Sequence, residues 1–216
     1  MTEAAVQASG EAAFAPDFVF RSPRRDDAKE ATDVLVLFRD VALVIQAKAQ
    51  SSIERDPTDW ARKNLKKAFN QTRGAIRAFR GGRVATVSNS RRGVMHIDIN
   101  EFPYVYGLAV LHHHSAPYRP SALVPDIASA VFPMHVLSYR DFFNLAYFLD
   151  TPWDLIDYLE HRTDVLLPSL NPKVHEKQEA FGRYAAEFEQ IHAFRATKRG
   201  EQFTVEDGRP LLSTKF

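Results

Sequence analysis

Three side chains with complementary chemistry fall in one short stretch of this 216-residue chain: Asp33, Gln46 and Lys48. Two apolar segments, 34–38 (VLVLF) and 41–47 (VALVIQA), run between them and meet at Arg39-Asp40. Their Val, Ile and Leu content suits β-strands. A two-residue turn at Arg39-Asp40 pairs Phe38 with Val41. Counting back along both strands then sets Asp33 opposite Gln46. Cross-strand partners share a face of a sheet, and so do residues two apart. Asp33, Gln46 and Lys48 therefore converge on one patch at the open end of the hairpin. A carboxylate, an amide oxygen and an ammonium together suit a hard cation and a phosphate ester. Mg²⁺ takes oxygen ligands, and the Asp33 carboxylate, the Gln46 amide oxygen and the Ala47 carbonyl could supply them. Lys48 could stabilise developing charge or position an attacking water. The bland alternative is a turn-capping aspartate, an edge glutamine and a lysine that snorkels to solvent.

Asp followed by Gln-x-Lys on the next strand resembles the core of the PD-(D/E)xK nuclease superfamily. The glutamine in third position resembles the Mrr-type restriction endonucleases within it. The resemblance spans roughly residues 18–79. Thr32 stands where the superfamily carries the proline of its name, and Gln46 replaces an acid, which removes one metal-binding charge. The resemblance implies a restriction endonuclease-like α/β fold, with a mixed central sheet flanked by helices. It implies metal-dependent hydrolysis of DNA phosphodiesters with Mg²⁺ or Mn²⁺. It makes Asp33, Gln46 and Lys48 catalytic, with Gln71 on the next helix as a fourth element. Many members carry a further upstream acid. Glu30 is a candidate auxiliary ligand, although simple alternation from Asp33 puts it on the opposite face. Glu11 and Asp17 are the other candidates, and the sequence does not choose among them. A second expectation is a catalytically silent member of the same fold, acting as a nucleic-acid or protein interaction module. A third is an unrelated α/β domain.

The surrounding elements must position this patch. Residues 17–21 suggest a first strand and 22–32 a polar loop. Asp59 signals a helix cap, and 60–80 shows a buried stripe of Leu65, Phe69, Thr72, Ile76 and Phe79 at helical spacing. Gln71 lies to one side of that stripe, among Asn64, Ala68, Ala75 and Ala78. Arg62, Lys63, Lys66, Arg73, Arg77 and Arg80 occupy the other flank. Lys66, Arg73 and Arg77 are the candidate contacts to a nucleic-acid backbone. Gly81-Gly82 ends the helix, and strands are expected over 83–88, 94–99, 104–112 and 134–138. His112 and His114 share a face, but no carboxylate stands at matching spacing for a transition-metal site. Asp141 is expected to cap a helix over 142–149. Thr151-Pro152-Trp153-Asp154 opens another that ends near His161. A last helix covers 173–194, and the tail 197–216 reads as polar and uncommitted. The whole chain is expected to form one domain, with its core over about 17–114 and helical decoration over about 134–196.

Composition sets the outer bounds. The chain has 45% hydrophobic and 25% charged residues, ordinary for a globular protein. The absence of cysteine excludes disulfides and thiolate metal sites. Residues 1–13 lack the pattern of a signal peptide, and no run is long enough to span a membrane. A cytoplasmic protein is the expectation, and a homodimer is compatible with it. Net charge is only +1, but it is unevenly spread. Residues 51–100 carry net +7, against −2 before and −4 after. A basic block directly after the Gln46-Lys48 strand suits a phosphate backbone, with DNA as the expected partner.

Overall fold

The computed structural model describes residues 3–50, 56–113, 132–149, 151–166, 187–199, 201–206 and 209–214. Its centre is a five-stranded mixed sheet. Strands β1 (Val19–Arg21), β2 (Val34–Phe38) and β3 (Val41–Gln50) pair antiparallel. Strands β6 (Tyr104–His113) and β7 (Met134–Ser138) continue it in parallel, in the order β1-β2-β3-β6-β7. The register between β2 and β3 is the one the turn dictates, with Phe38 opposite Val41 and Val34 opposite Ile45. Arg39 takes the positive φ (55°) that such a tight turn demands. A parallel neighbour cannot be reached by a hairpin. The chain therefore crosses from β3 to β6 through a long helix, α2 (Pro57–Arg80).

Helix α2 starts earlier than residue 60. Asp56, not Asp59, is its cap. The Asp56 carboxylate accepts from the Asp59 amide at 2.9 Å, and Pro57 in the first turn needs no partner for an N–H it lacks. Leu65, Ala68, Thr72, Ala75, Ile76, Ala78 and Phe79 are buried along the face that meets the sheet. Their partners include Leu35, Leu37, Ala42, Val44, Val105 and Leu111. Gly107 on β6 lets the helix come close. A Cβ there would stand 2.7 Å from the Thr72 methyl and 3.0 Å from the Phe132 ring.

The opposite face of the sheet is covered by α1 (Glu3–Phe14), α3 (Tyr139–Phe148), α4 (Pro152–Leu166) and α5 (Glu187–Lys198). Val6, Phe14, Phe142, Leu145, Leu155, Leu159 and Ile191 meet Val34, Val36, Leu43, Ile45 and Leu108 there. These strands bury both faces, hence their near-continuous apolar sequences.

Several expectations are corrected. Strands β4 (Thr86–Asn89) and β5 (Gly93–His96) pair only with each other. Their residues are mostly exposed, Val94 at 74%, so they have no second apolar face to bury inside a central sheet. The Asn89 amide ties this hairpin to β1 by donating to the carbonyls of Pro16, Asp17 and Val19. Helix α3 begins at Tyr139 and is capped by Ser138, with Asp141 as the reciprocal third-position acid. Helix α4 begins where Thr151 and Asp154 predict but runs on to Leu166. The tail is not featureless, because β8 (Glu201–Glu206) and β9 (Arg209–Thr214) form a hairpin. His114 and residues 173–186 of the expected last helix lie outside the described residues. Among the described residues no helix is long and apolar enough to cross a membrane.

One buried polar pair makes stability depend on pH. His135 on β7 and Arg162 on α4 are both buried. Arg162 Nη1 lies 3.2 Å from His135 Nδ1. A guanidinium only donates, so Nδ1 must be the bare acceptor of a neutral ring. Burial, reinforced by the Arg162 charge, holds the His135 pKa well below its ordinary value of 6.5. The unfolded chain therefore binds more protons below pH about 6.5, and stability falls as the pH drops below it. The slope approaches roughly 1.4 kcal/mol per pH unit. Urea midpoints should decline between about pH 7 and about pH 5, and His135→Asn should flatten that decline. An equal decline in the variant removes His135 as its source.

Candidate metal and phosphate site

The patch forms where the apolar core between α2 and the sheet gives way to polar side chains. Along β3, Ala42 and Val44 face α2, and alternation brings Gln46 and Lys48 to the same face. Asp33 lies just beyond the last ladder pair, Val34 with Ile45. Its main-chain carbonyl accepts from Ser22 N at 2.9 Å, which fixes the residue against the chain after β1. Asp33 is 8% exposed and Gln46 2%.

The side chains meet at the Lys48 ammonium. Lys48 Nζ lies 3.2 Å from Asp33 Oδ2, 3.2 Å from Gln46 Oε1 and 3.0 Å from the Ala47 carbonyl oxygen. Those are the three oxygens that the sequence offers as metal ligands, and they point at one place. Asp33 Oδ2 also accepts from Ala47 N at 2.6 Å. The ion pair is well shielded, with side-chain exposures of 13% for Lys48 and 11% for Asp33. A carboxylate and two neutral carbonyl-type oxygens form a hard donor set that fits Mg²⁺ or Mn²⁺ better than a softer ion. Among the described residues no three His, Asp or Glu side chains cluster as a metal site. At the position of the Lys48 ammonium, Asp33, Gln46 and Ala47 offer one carboxylate and two neutral oxygens.

Beside the cluster opens a cavity of about 220 Å³ lined by Arg25, Glu30, Ala31, Thr32, Asp33, Gln46, Gln71, Gly74 and Ala75. Glu30 thus lies on the same side as Asp33, and simple alternation misplaces it. Residues 22–32 are not a strand. Ser22 and Ala28 take positive φ values of 46° and 61°. Arg25 N donates to Lys29 O and Ala31 N to Pro23 O, folding the segment back on itself. The other upstream acids are elsewhere. Glu11 accepts from Gln7 within α1, and Asp17 sits in the turn before β1. Gln71 is exposed on α2 and forms part of the cavity wall. Lys66, Arg73 and Arg77 are exposed on the same helix but do not line the cavity.

Two polar cavity residues carry no functional signal in the sequence. Arg25 is held by Asp27, to which its Nε and Nη2 donate at 3.1 and 2.9 Å, and nothing in a polar loop marks it. Thr32 donates to Ile45 O at 2.7 Å and accepts from Gln46 Nε2 at 3.0 Å. Its one local signal is that it precedes Asp33. Of the histidine run, the two described members pack against aromatic rings. His112 packs edge-on to Tyr139, and His113 packs against Trp60.

No family model, no curated protein and no solved structure matches this chain significantly.

Proposed function

We propose that the protein is a metal-dependent nuclease of restriction endonuclease-like fold that hydrolyses DNA phosphodiesters, with Asp33, Gln46, Lys48 and Gln71 at its centre. One observation carries the reading: three oxygens, one of them from a carboxylate, converge on a single point that already holds a positive charge. Asp33, Gln46 and the Ala47 carbonyl would hold Mg²⁺ or Mn²⁺, with Glu30, on the wall of the same cavity, as an auxiliary acid. A bound ion would neutralise phosphate charge and lower the pKa of a coordinated water. Lys48 would stabilise the charge that develops on the phosphoryl oxygens in a shielded setting, where such a contact is strong. Asp33 keeps the ammonium in place until substrate arrives. Gln71, on the cavity wall, would orient a water or a phosphate oxygen. The exposed Lys66, Arg73 and Arg77 would contact the backbone of a duplex too wide to enter the cavity.

A second reading has its own support. The Lys48 ammonium satisfies the three oxygens internally, and Gln46 contributes no charge. A silent member of the fold, binding nucleic acid or protein, would look the same. Supercoiled plasmid separates the two. The nuclease nicks it with Mg²⁺ or Mn²⁺ and stops with chelator. The silent module leaves it intact under every condition, and that result would end the catalytic reading.

A further inference from the structure

We propose that Thr32 is a positioning residue that decides which end of the Gln46 amide faces the cation site. The inference rests on the reading of Asp33, Gln46 and Ala47 as metal ligands, and extends it to a residue that has no place in that set.

An amide presents an oxygen at one end and an NH₂ at the other, nearly equal in size. Only the oxygen can bind a cation; the NH₂ carries two donors and repels one. A glutamine used as a metal ligand therefore needs its orientation fixed, whereas a glutamate does not, because both carboxylate oxygens accept. Thr32 supplies the fixing contact. It is 3% exposed. Its hydroxyl donates to Ile45 O at 2.7 Å, which commits its one proton. What remains on Oγ1 is acceptor capacity, and Gln46 Nε2 donates to it at 3.0 Å. Reversing the amide would press Gln46 Oε1 against an oxygen with no proton to give. It would also turn the NH₂ toward the Lys48 ammonium, now 3.2 Å from Oε1.

Both ends of the amide thus reject the reversed form, but they are not equivalent once an ion binds. Lys48 and a divalent cation compete for the same oxygens. Thr32 does not, so its contact persists in both states. The two departures from the PD-(D/E)xK pattern then belong together. A proline at position 32 has no hydroxyl and could not orient Gln46. A glutamate at position 46 would not need orienting.

The test compares wild type, Thr32→Val, Thr32→Ser, Gln46→Glu and the Thr32→Val/Gln46→Glu double variant. Thermal melts establish that each is folded. Mn²⁺ affinity is read by titration calorimetry. Gln46 side-chain NH₂ exchange is read by NMR, with the resonance identified by its loss in Gln46→Glu. Thr32→Val should weaken Mn²⁺ binding about tenfold or more, the usual cost of losing a group that orients a ligand, and should speed exchange of the Gln46 NH₂. Thr32→Ser keeps the hydroxyl and should retain wild-type affinity. With Glu at position 46, Thr32→Val should cost no further affinity. A purely structural threonine would give the same loss in both backgrounds, and that outcome overturns the proposal. So does a Thr32→Val protein that binds Mn²⁺ as wild type does. If wild type binds no Mn²⁺ at all, the metal-site reading fails and takes the role of Thr32 with it. A protected Gln46 NH₂ would then show only that the hydrogen bond exists.

Discussion

Asp33→Asn should reduce metal-dependent nicking of supercoiled plasmid to background. It removes the one carboxylate among the three converging oxygens, and two neutral oxygens alone hold Mg²⁺ poorly. Asparagine is a better replacement than alanine. Asp33 Oδ2 accepts from the shielded Ala47 N–H, and an amide oxygen can keep that bond. Either variant leaves the Lys48 charge uncompensated in a site where both side chains are nearly buried, but Asp33→Ala would in addition leave the N–H without a partner. Breaking such a pair costs about 3 kcal/mol, enough to mistake instability for lost chemistry. The expected result is a folded Asp33→Asn protein, judged by its melting curve, that neither nicks plasmid nor binds Mn²⁺ measurably. If the variant and wild type nick alike, the activity is a contaminant and the catalytic assignment fails.

Lys48→Met should abolish cleavage as well, but move metal binding the other way. The ammonium holds the same three oxygens that a divalent cation would take. Methionine keeps the length and the apolar stem and removes the competitor. It also leaves Asp33 without a counter-charge, which favours an incoming cation. Mn²⁺ affinity should rise, roughly tenfold for each 1.4 kcal/mol of competition removed, while nicking falls to background because no group stabilises the developing phosphoryl charge. Loss of both binding and cleavage would mean that Lys48 builds the site instead of competing for it. Retained cleavage would remove Lys48 from the chemistry. The opposite signs expected for Asp33→Asn and Lys48→Met on binding, with the same sign on cleavage, distinguish ligand from charge stabiliser within one pair of assays.

The β2–β3 hairpin and its polar end were legible in the sequence because their determinants are local. A period of two sets the face, and a two-residue turn sets the register. No distant contact is needed to bring Asp33, Gln46 and Lys48 together. Helix α2 was legible for the same kind of reason: Leu65, Thr72, Ile76 and Phe79 recur at helical spacing, and Gly81-Gly82 stops it. What the sequence could not decide depends on residues far apart in the chain. Glu30 and Arg25 reach the cavity because 22–32 folds back through Ser22 and Ala28 at positive φ, a path that alternation cannot describe. The hairpin of β4 and β5 stays out of the central sheet because only its Val87–Met95 face packs on the core while the other face is exposed, and β6 takes the place beside β3. The hydroxyl of Thr32 acquires a purpose only when Ile45, thirteen residues on, presents its carbonyl, and Gln46, fourteen on, its amide. Local pattern determined which polar groups share a face. Only the tertiary structure decided what stands around them, because a loop's course and a long-range hydrogen bond are set by the packing of the whole chain and not by any periodicity within it.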